Sequence, residues 1–338
     1  MKIIYMVNKL SKTSIPWRWT DYFNKKSKYN QIELLEVKFL KSRWNDLKNK
    51  TDIVHGHHIK AMALFLFSNK VLKKPTVYTV HGSYLFLSKS NALLLKLIFK
   101  LSNKIIFVNQ MLYDVLPKEY KKIIEGKYEV ILNGVETDYK YVKSDVYKKF
   151  NIDSSDTICF HPARFVTEKN HIRLISAFEP LIKNNSKIKF ILAGDGKLKG
   201  EIQAHVKALN LEKNVIFLGL IERDEVYSFL ERCDLFLMPS ISEGLNIAFL
   251  EAISMKTKVL VSDIEQFTYP LKAYGLDAEA LNVTFVNPLD EEAMSKGILS
   301  ALEKEQQLAY DCSDFSLVSM MKKYEEIYKE LVKRGVNV

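Results

Sequence analysis

The sequence predicts an α/β protein built from two parallel-sheet domains, and three observations predict it. Short apolar runs alternate with helical patterns from residue 157 to 302, as strands joined by crossover helices do. A chain of 338 residues is long enough for two domains with full cores. Charge is unevenly placed. Residues 1–150 hold 28 Lys+Arg against 12 Asp+Glu, and the remainder holds 22 against 28, so a basic half precedes an acidic one.

Composition bounds the function. At 47% hydrophobic and 27% charged, the chain reads as globular. No apolar run reaches the roughly 18–20 residues that a spanning helix needs. Met1 to Val7 reads as a first strand rather than a signal-peptide core. Cys159, Cys233 and Cys312 have no metal-ligand spacing and cannot pair evenly, which suits a reducing cytosol. The basic half suits anionic lipid, a phosphorylated acceptor or nucleic acid, but no nucleic-acid-reading motif is present.

Taken in order, strand Lys2–Val7 is followed by the glycine-free stretch Asn8–Ser14. Trp17 and Trp19 flank Arg18 and are candidates to stack on a sugar, to sit at a membrane interface or to pack locally. Leu34 to Phe39 reads as a second strand. The strand from Asp52 ends in His55, His57 and His58. Strand ends splay alternate side chains, so no metal site is expected there. Pro75 to Val80 is a strand that delivers His81 ahead of Gly82, a placement that suits a ligand site. Ser90 to Lys104 is expected to be one helix, with Lys96, Lys100 and Lys104 as a basic stripe suited to solvent or to anionic lipid.

In the second half, the strand from Ile158 runs into a loop holding Arg164 and Lys169. A guanidinium grips phosphate oxygens in a fork, and an ammonium adds a point charge. Gly194 and Gly196 read as structural. Leu235–Met238 is a buried strand stopped by Pro239, and the loop Ser242-Glu243-Gly244 leads into a helix expected from Asn246 to about Met255. A strand-end loop feeding a helix N-terminus is where open α/β sheets bind ligands, and its free N–H groups favour phosphate. Glu251 lies one turn beyond Ile247. Carboxylates that accept hydroxyl hydrogen bonds, beside amides that hold phosphate, suit a nucleotide-sugar.

Glu243, Gly244 and Glu251 resemble the paired-glutamate motif of glycosyltransferase family 4, the retaining enzymes with two Rossmann-like domains. The resemblance covers most of the chain, strongest over 129–270 and weakest over 8–50. It implies the GT-B architecture, with two domains facing a cleft and a last helix crossing back to the first. The expected limits are 1–150 plus about 318–338 for the acceptor-side domain and 151–317 for the donor domain. It implies that Arg164 and Lys169 hold the donor diphosphate, that Glu243 contacts the donor sugar, and that Glu251 holds the ribose. Gly244, Leu245, Asn246 and Ile247 complete the donor loop, and the backbone at Leu220, after Gly219, reads the base. His57 and His81 fall on the cleft side, His81 near the donor sugar and acceptor, with Trp17 and Trp19 toward the acceptor, and the expected catalytic residues are Glu243, His81, Arg164 and Lys169. His161-Pro162 departs from the small residues usual before the arginine.

The expected activity is transfer of a hexose or N-acetylhexosamine from a nucleotide-diphospho-sugar, with UDP as the expected nucleotide. The acceptor is a saccharide or a lipid-linked one in surface-polysaccharide, lipopolysaccharide or glycoconjugate synthesis. No metal or other cofactor is expected, since Arg164, Lys169 and the loop amides can carry the leaving charge. The enzyme would be cytoplasmic or peripheral on the inner face of the membrane. Rival readings are a nucleotide-sugar epimerase or hydrolase on the same fold and, more remotely, a basic nucleic-acid-binding module.

Overall fold

The computed structural model describes residues 1–10, 15–26, 31–82, 84–243, 247–273, 275–308 and 311–335. The chain divides into two compact units, Met1–Asn133 with Leu317–Val338, and Gly134–Ser316. Unit 1 runs β1 (Lys2–Val7), α1 (Ile15–Lys26), β2 (Gln31–Glu36), α2 (Trp44–Lys50), β3 (Ile53–Gly56), α3 (Ile59–Leu72), β4 (Thr76–Val80), α4 (Lys89–Leu101), β5 (Lys104–Phe107), α5 (Gln110–Asp114), α6 (Lys118–Ile124) and β6 (Tyr128–Val130). Unit 2 runs α7 (Val146–Lys149), β7 (Thr157–Pro162), α8 (His171–Asn184), β8 (Ile188–Ala193), α9 (Lys199–Ala208), β9 (Val215–Gly219), α10 (Arg223–Arg232), β10 (Leu235–Met238), α11 (Ile247–Ser254), β11 (Val259–Ser262), α12 (Glu265–Ala273), β12 (Val283–Val286) and α13 (Glu291–Glu303). The chain then returns to unit 1 as α14 (Leu317–Gly335).

Each unit holds one parallel six-stranded sheet, ordered β2-β1-β3-β4-β5-β6 and β12-β11-β10-β7-β8-β9. β1, β3, β7 and β10 read as continuous apolar runs because helices cover both faces of each sheet. In unit 1 one face is closed by a core that includes Leu47, Phe65, Leu66, Ile98 and Phe99, and the other by Trp19, Phe23, Tyr324 and Tyr328. α14 buries Leu317, Met320, Met321, Tyr324, Ile327, Tyr328 and Leu331, a stripe at helical spacing. In each sheet the strand order reverses beside the first strand of the unit, between β1 and β3 and between β7 and β10. Open α/β sheets bind ligands at the carboxyl ends of the strands flanking such a point.

The structure moves three expected boundaries. Extended pairing in the second strand stops at Glu36, and Val37–Phe39 is a 3-10 turn. Lys104 is not on a helix: Ser102 ends α4 in an extended conformation, and Lys104 opens β5 with its ammonium 3.0 Å from Glu129. The three-lysine stripe therefore does not exist. The division between units falls after Asn133 rather than at 150, because residues 139–149 are tied to α10. Tyr139 Oη donates to Asp224 Oδ1 at 2.6 Å, Tyr147 Oη donates to the Arg232 carbonyl at 2.7 Å, and Lys149 pairs with Glu225.

Candidate functional site

The candidate site of unit 2 lies at its strand-order reversal. β7 and β10 pair at Cys159–Leu235 and Phe160–Phe236, so their following loops emerge side by side. The two loops are stitched together. The Ile241 amide donates to the Glu168 carbonyl at 2.8 Å, and Asn170 Nδ2 donates to the carbonyls of Pro239 at 3.1 Å and Pro288 at 2.7 Å. This brings Lys169 against Glu243 as an ion pair, with side chains only 14% and 10% exposed. Arg164, on the same loop as Lys169, is exposed and has no hydrogen-bonded partner among the described residues. Its loop has a rigid backing. Gly194, at φ +148°, lies so close that a Cβ there would stand 2.0 Å from the Ala163 carbonyl oxygen, and one at Gly196 would stand 2.5 Å from that of Phe165.

Under Lys169 sits an unexpected pair. His161 and His171 are buried, with ring centroids 4.7 Å apart. His161 Nδ1 donates to the Leu237 carbonyl at 2.6 Å. Burial holds the His161 pKa down to about 4 and that of His171 lower still. Both rings are therefore neutral at pH 7, and they add no charge beneath the cations.

Glu251 is buried on the first turns of α11. Tyr227 Oη donates to its Oε1 at 3.1 Å, and Arg223 Nη2 stands 3.5 Å from the same oxygen. The other arm of Arg223 reaches Glu136 Oε2 at 2.5 Å, and its guanidinium lies 3.9 Å from the centroid of the Tyr139 ring. A guanidinium held between two carboxylates and an aromatic face is fixed in orientation, and it holds the Glu251 side chain in place as a hydrogen-bond acceptor. The sequence reading missed Arg223, Tyr227 and Glu136. The one local signal is the capping box of Glu222 with Glu225, which marks the start of α10 and places Arg223 on its first turn. Ile247 is half-buried at the start of α11, and Leu220, just past β9, is 82% exposed. Gly244, Leu245 and Asn246 lie outside the described residues.

In unit 1, His57 and His81 follow β3 and β4 and meet, with His57 Nδ1 3.0 Å from His81 Nε2. They line a cavity of about 410 Å³ with Asn8, Lys60, Val80 and Asn91. Desolvation lowers the His81 pKa to about 4, and those of His57 and His55 well below the ordinary value. His55 is bound to Tyr328 and to Thr79, both at 2.7 Å. Trp19 is not an exposed platform. It is 2% exposed and packs within 6 Å of His57, His81 and Tyr324, because α1 and α14 cover the same face of the sheet. Trp17 is half-buried. The glycine-free stretch after β1 lies partly outside the described residues, at 11–14. Among the described residues no three His, Cys, Asp or Glu side chains converge as a metal site would require.

Comparison with known proteins agrees with this geometry. Residues 142–315 match the family described as "Glycosyl transferases group 1", and residues 20–139 match "Glycosyltransferase Family 4". The chain is 28% identical over 324 residues to the O-antigen biosynthesis glycosyltransferase WclY of Escherichia coli, covering 92% of this chain and 89% of that one. It is 26% identical over 305 residues to UDP-Gal:alpha-D-GlcNAc-diphosphoundecaprenol alpha-1,3-galactosyltransferase of Escherichia coli, covering 84% and 77%. In fold it is similar to Anabaena HepE, crystallised with UDP, with a TM-score of 0.76 and 18% identity over 98% of this chain and all of that one. The architecture is the GT-B fold of two Rossmann-like units. A family match spanning more than half the chain, on the unit that holds Arg164, Lys169, Glu243 and Glu251, makes this protein a glycosyltransferase, a member of glycosyltransferase family 4.

Proposed function

We propose that the protein is a retaining glycosyltransferase that moves a hexose or N-acetylhexosamine from a UDP-sugar to a saccharide or lipid-linked acceptor in surface-polysaccharide, lipopolysaccharide or glycoconjugate synthesis. The observation that carries this reading is the Lys169–Glu243 ion pair at the strand-order reversal of unit 2, with Arg164 free beside it. A diphosphate arriving there competes with Glu243 for Lys169. Once displaced, the Glu243 carboxylate is left to accept hydrogen bonds from the donor sugar. As the bond from the anomeric carbon to the diphosphate oxygen breaks, charge grows on the departing phosphate, and Arg164 and Lys169 stabilise it. Glu251, held by Arg223 and Tyr227, accepts from the ribose hydroxyls, and the Leu220 backbone faces the base.

UDP as the nucleotide is supported by the UDP-Gal donor of the similar galactosyltransferase and by the UDP in the HepE complex. The lipid-linked acceptor is supported by the diphosphoundecaprenol of the first. Among the described residues no helix is long and apolar enough to cross a membrane, so such an acceptor would be met by peripheral contact on the cytoplasmic face. His57 and His81 are assigned to the acceptor side. The two cations occupy the role a divalent ion would take, so turnover should survive a chelator.

The test is a panel of nucleotide-sugars offered with and without polyprenyl-diphosphate sugars, following released nucleotide and lipid product together. Nucleotide release with glycosylated lipid supports the reading. Release without any glycosylated acceptor points to a hydrolase, and a new nucleotide-sugar points to an epimerase; either would overturn it.

A further inference from the structure

Between Asp52 and Asp114 lie 61 residues with no Asp or Glu and with eight lysines. This stretch builds α3 and α4, which pack side by side on one face of the unit 1 sheet. Both helices bury one side and leave an apolar stripe on the other. On α3, Leu64, Phe67 and Val71 are 53%, 57% and 71% exposed, at a spacing that places them on one face. On α4, Leu93 and Leu101 are 69% and 40% exposed, with half-buried Leu97 between them. Lys60, Lys70, Lys89 and Lys100 are exposed on the same two helices and form no ion pair among the described residues. Lys96 does not join them, being 3.7 Å from Glu119 and over the Tyr120 ring.

Soluble surfaces rarely leave such large apolar side chains in contiguous stripes unless something covers them. The charge identifies what. A protein partner of mixed charge gains little from two helices that carry no carboxylate for its own cations, whereas a sheet of phosphates is matched by lysines alone. Leu and Phe side chains reach into the acyl boundary, and lysine stems lie along apolar surface while their ammonium groups stay at headgroup level.

We propose that the outward faces of α3 and α4 form a docking surface for an anionic phospholipid bilayer, with Leu64, Phe67, Val71 and Leu93 inserting and Lys60, Lys70, Lys89 and Lys100 on the phosphates. The proposal rests on the membrane-contact part of the reading above and not on the transfer chemistry, so its readout is binding rather than turnover.

The experiment is sedimentation of the full chain with phosphatidylcholine vesicles with and without phosphatidylglycerol, at low and high salt. Wild type should bind only the anionic vesicles and lose binding as salt rises. Lys70→Gln with Lys89→Gln and Lys100→Gln should lower the partition coefficient about a hundredfold, at roughly one lysine's worth of attraction each. Lys187→Gln with Lys207→Gln and Lys213→Gln removes the same charge from exposed positions of unit 2 and should leave binding unchanged. Leu64→Gln with Phe67→Gln and Leu93→Gln should also lose binding while keeping the thermal midpoint and the affinity for UDP of wild type. Should any of these variants unfold, the single substitutions Phe67→Gln and Leu93→Gln replace it. Three outcomes overturn the proposal: no binding of wild type at low salt, equal loss from both lysine triples, or full binding by the apolar triple. A fourth is that wild type is a dimer which the apolar triple splits without changing vesicle binding. UDP affinity measured on the same samples by calorimetry separates a failed docking surface from a failed donor site.

Discussion

The two units are both built on a parallel six-stranded sheet with one strand-order reversal, and they treat the groups at their strand ends in opposite ways. In unit 1 the polar side chains beneath the strand ends form a neutral, buried network. Tyr5, His55, Thr79, Tyr324 and Tyr328 are linked by hydrogen bonds of 2.7–3.2 Å, two of the five side chains supplied by a helix from the far end of the chain. In unit 2 the corresponding region is ionic, with Lys169 on Glu243 and Arg223 between Glu136 and Glu251. A neutral network fixes shape. An ion pair near the surface can be traded for a charged ligand. Two similar scaffolds thus carry a neutral network in one unit and, on the function proposed above, an exchangeable anion site in the other.

Acid should break both units, and it is the largest effect expected. The folded-state pKa of His81 in unit 1 and of His161 in unit 2 is held to about 4, below the ordinary value of 6.5. The unfolded chain therefore binds more protons between those limits, so the stabilisation is present above pH 6.5 and is lost as pH falls toward 4. Each such histidine costs up to about 1.4 kcal/mol for each pH unit in that window. Thermal midpoints should be flat from pH 8 to 7 and fall steeply below about 6.5; a flat profile down to pH 5 would contradict the lowered pKa of both rings. Next in size, Trp19→Ala should destabilise unit 1 by about 3–5 kcal/mol, as loss of a buried indole does. Trp17→Ala, half-buried, should cost far less in the same denaturant titration.

The sharper contrast is kinetic. Lys169→Ala should lower kcat about 10²–10³-fold with a smaller change in KM for donor, because the charge it meets grows during the reaction. Intact turnover would remove the donor-site assignment altogether. Smaller again, Glu251→Ala should weaken UDP by about 1.5–3 kcal/mol in calorimetry, the worth of a charge-assisted hydrogen bond. Arg223→Ala should weaken it by less, with Arg223→Lys recovering part. If 2′,3′-dideoxy-UDP binds wild type as well as UDP does, Glu251 does not hold the ribose.

Where burial and chemistry are local, the sequence was readable. β10 has the limits its apolar run suggests, and Pro239 stops it because proline has no N–H to continue the ladder. Arg164, Lys169, Glu243 and Glu251 stand out because each follows or opens an element at a strand's carboxyl end. Trp19 was open to two readings because nothing in its neighbours says that α14, some 300 residues later in the chain, covers the same face. Lys104 was misplaced because helical spacing continues past Ser102 in the sequence while the backbone does not. Arg223 was invisible because its meaning is tertiary: its partners Glu136 and Glu251 are far from it in sequence and share no pattern with it.

The return of the chain at Leu317 has a consequence for how the molecule is made. During synthesis the first 133 residues leave the ribosome with one face of their sheet covered only by α1, since the other residues that cover Tyr5, Ile53 and Val77 are on α14. Gly134–Ser316 is continuous and can close its core as it emerges. The second unit is therefore complete before the first, and the nascent first unit waits with part of an apolar face open until the last helix is released. A chain ending before Tyr324 and Tyr328 would keep the core of its second unit and leave one face of the first without its α14 cover.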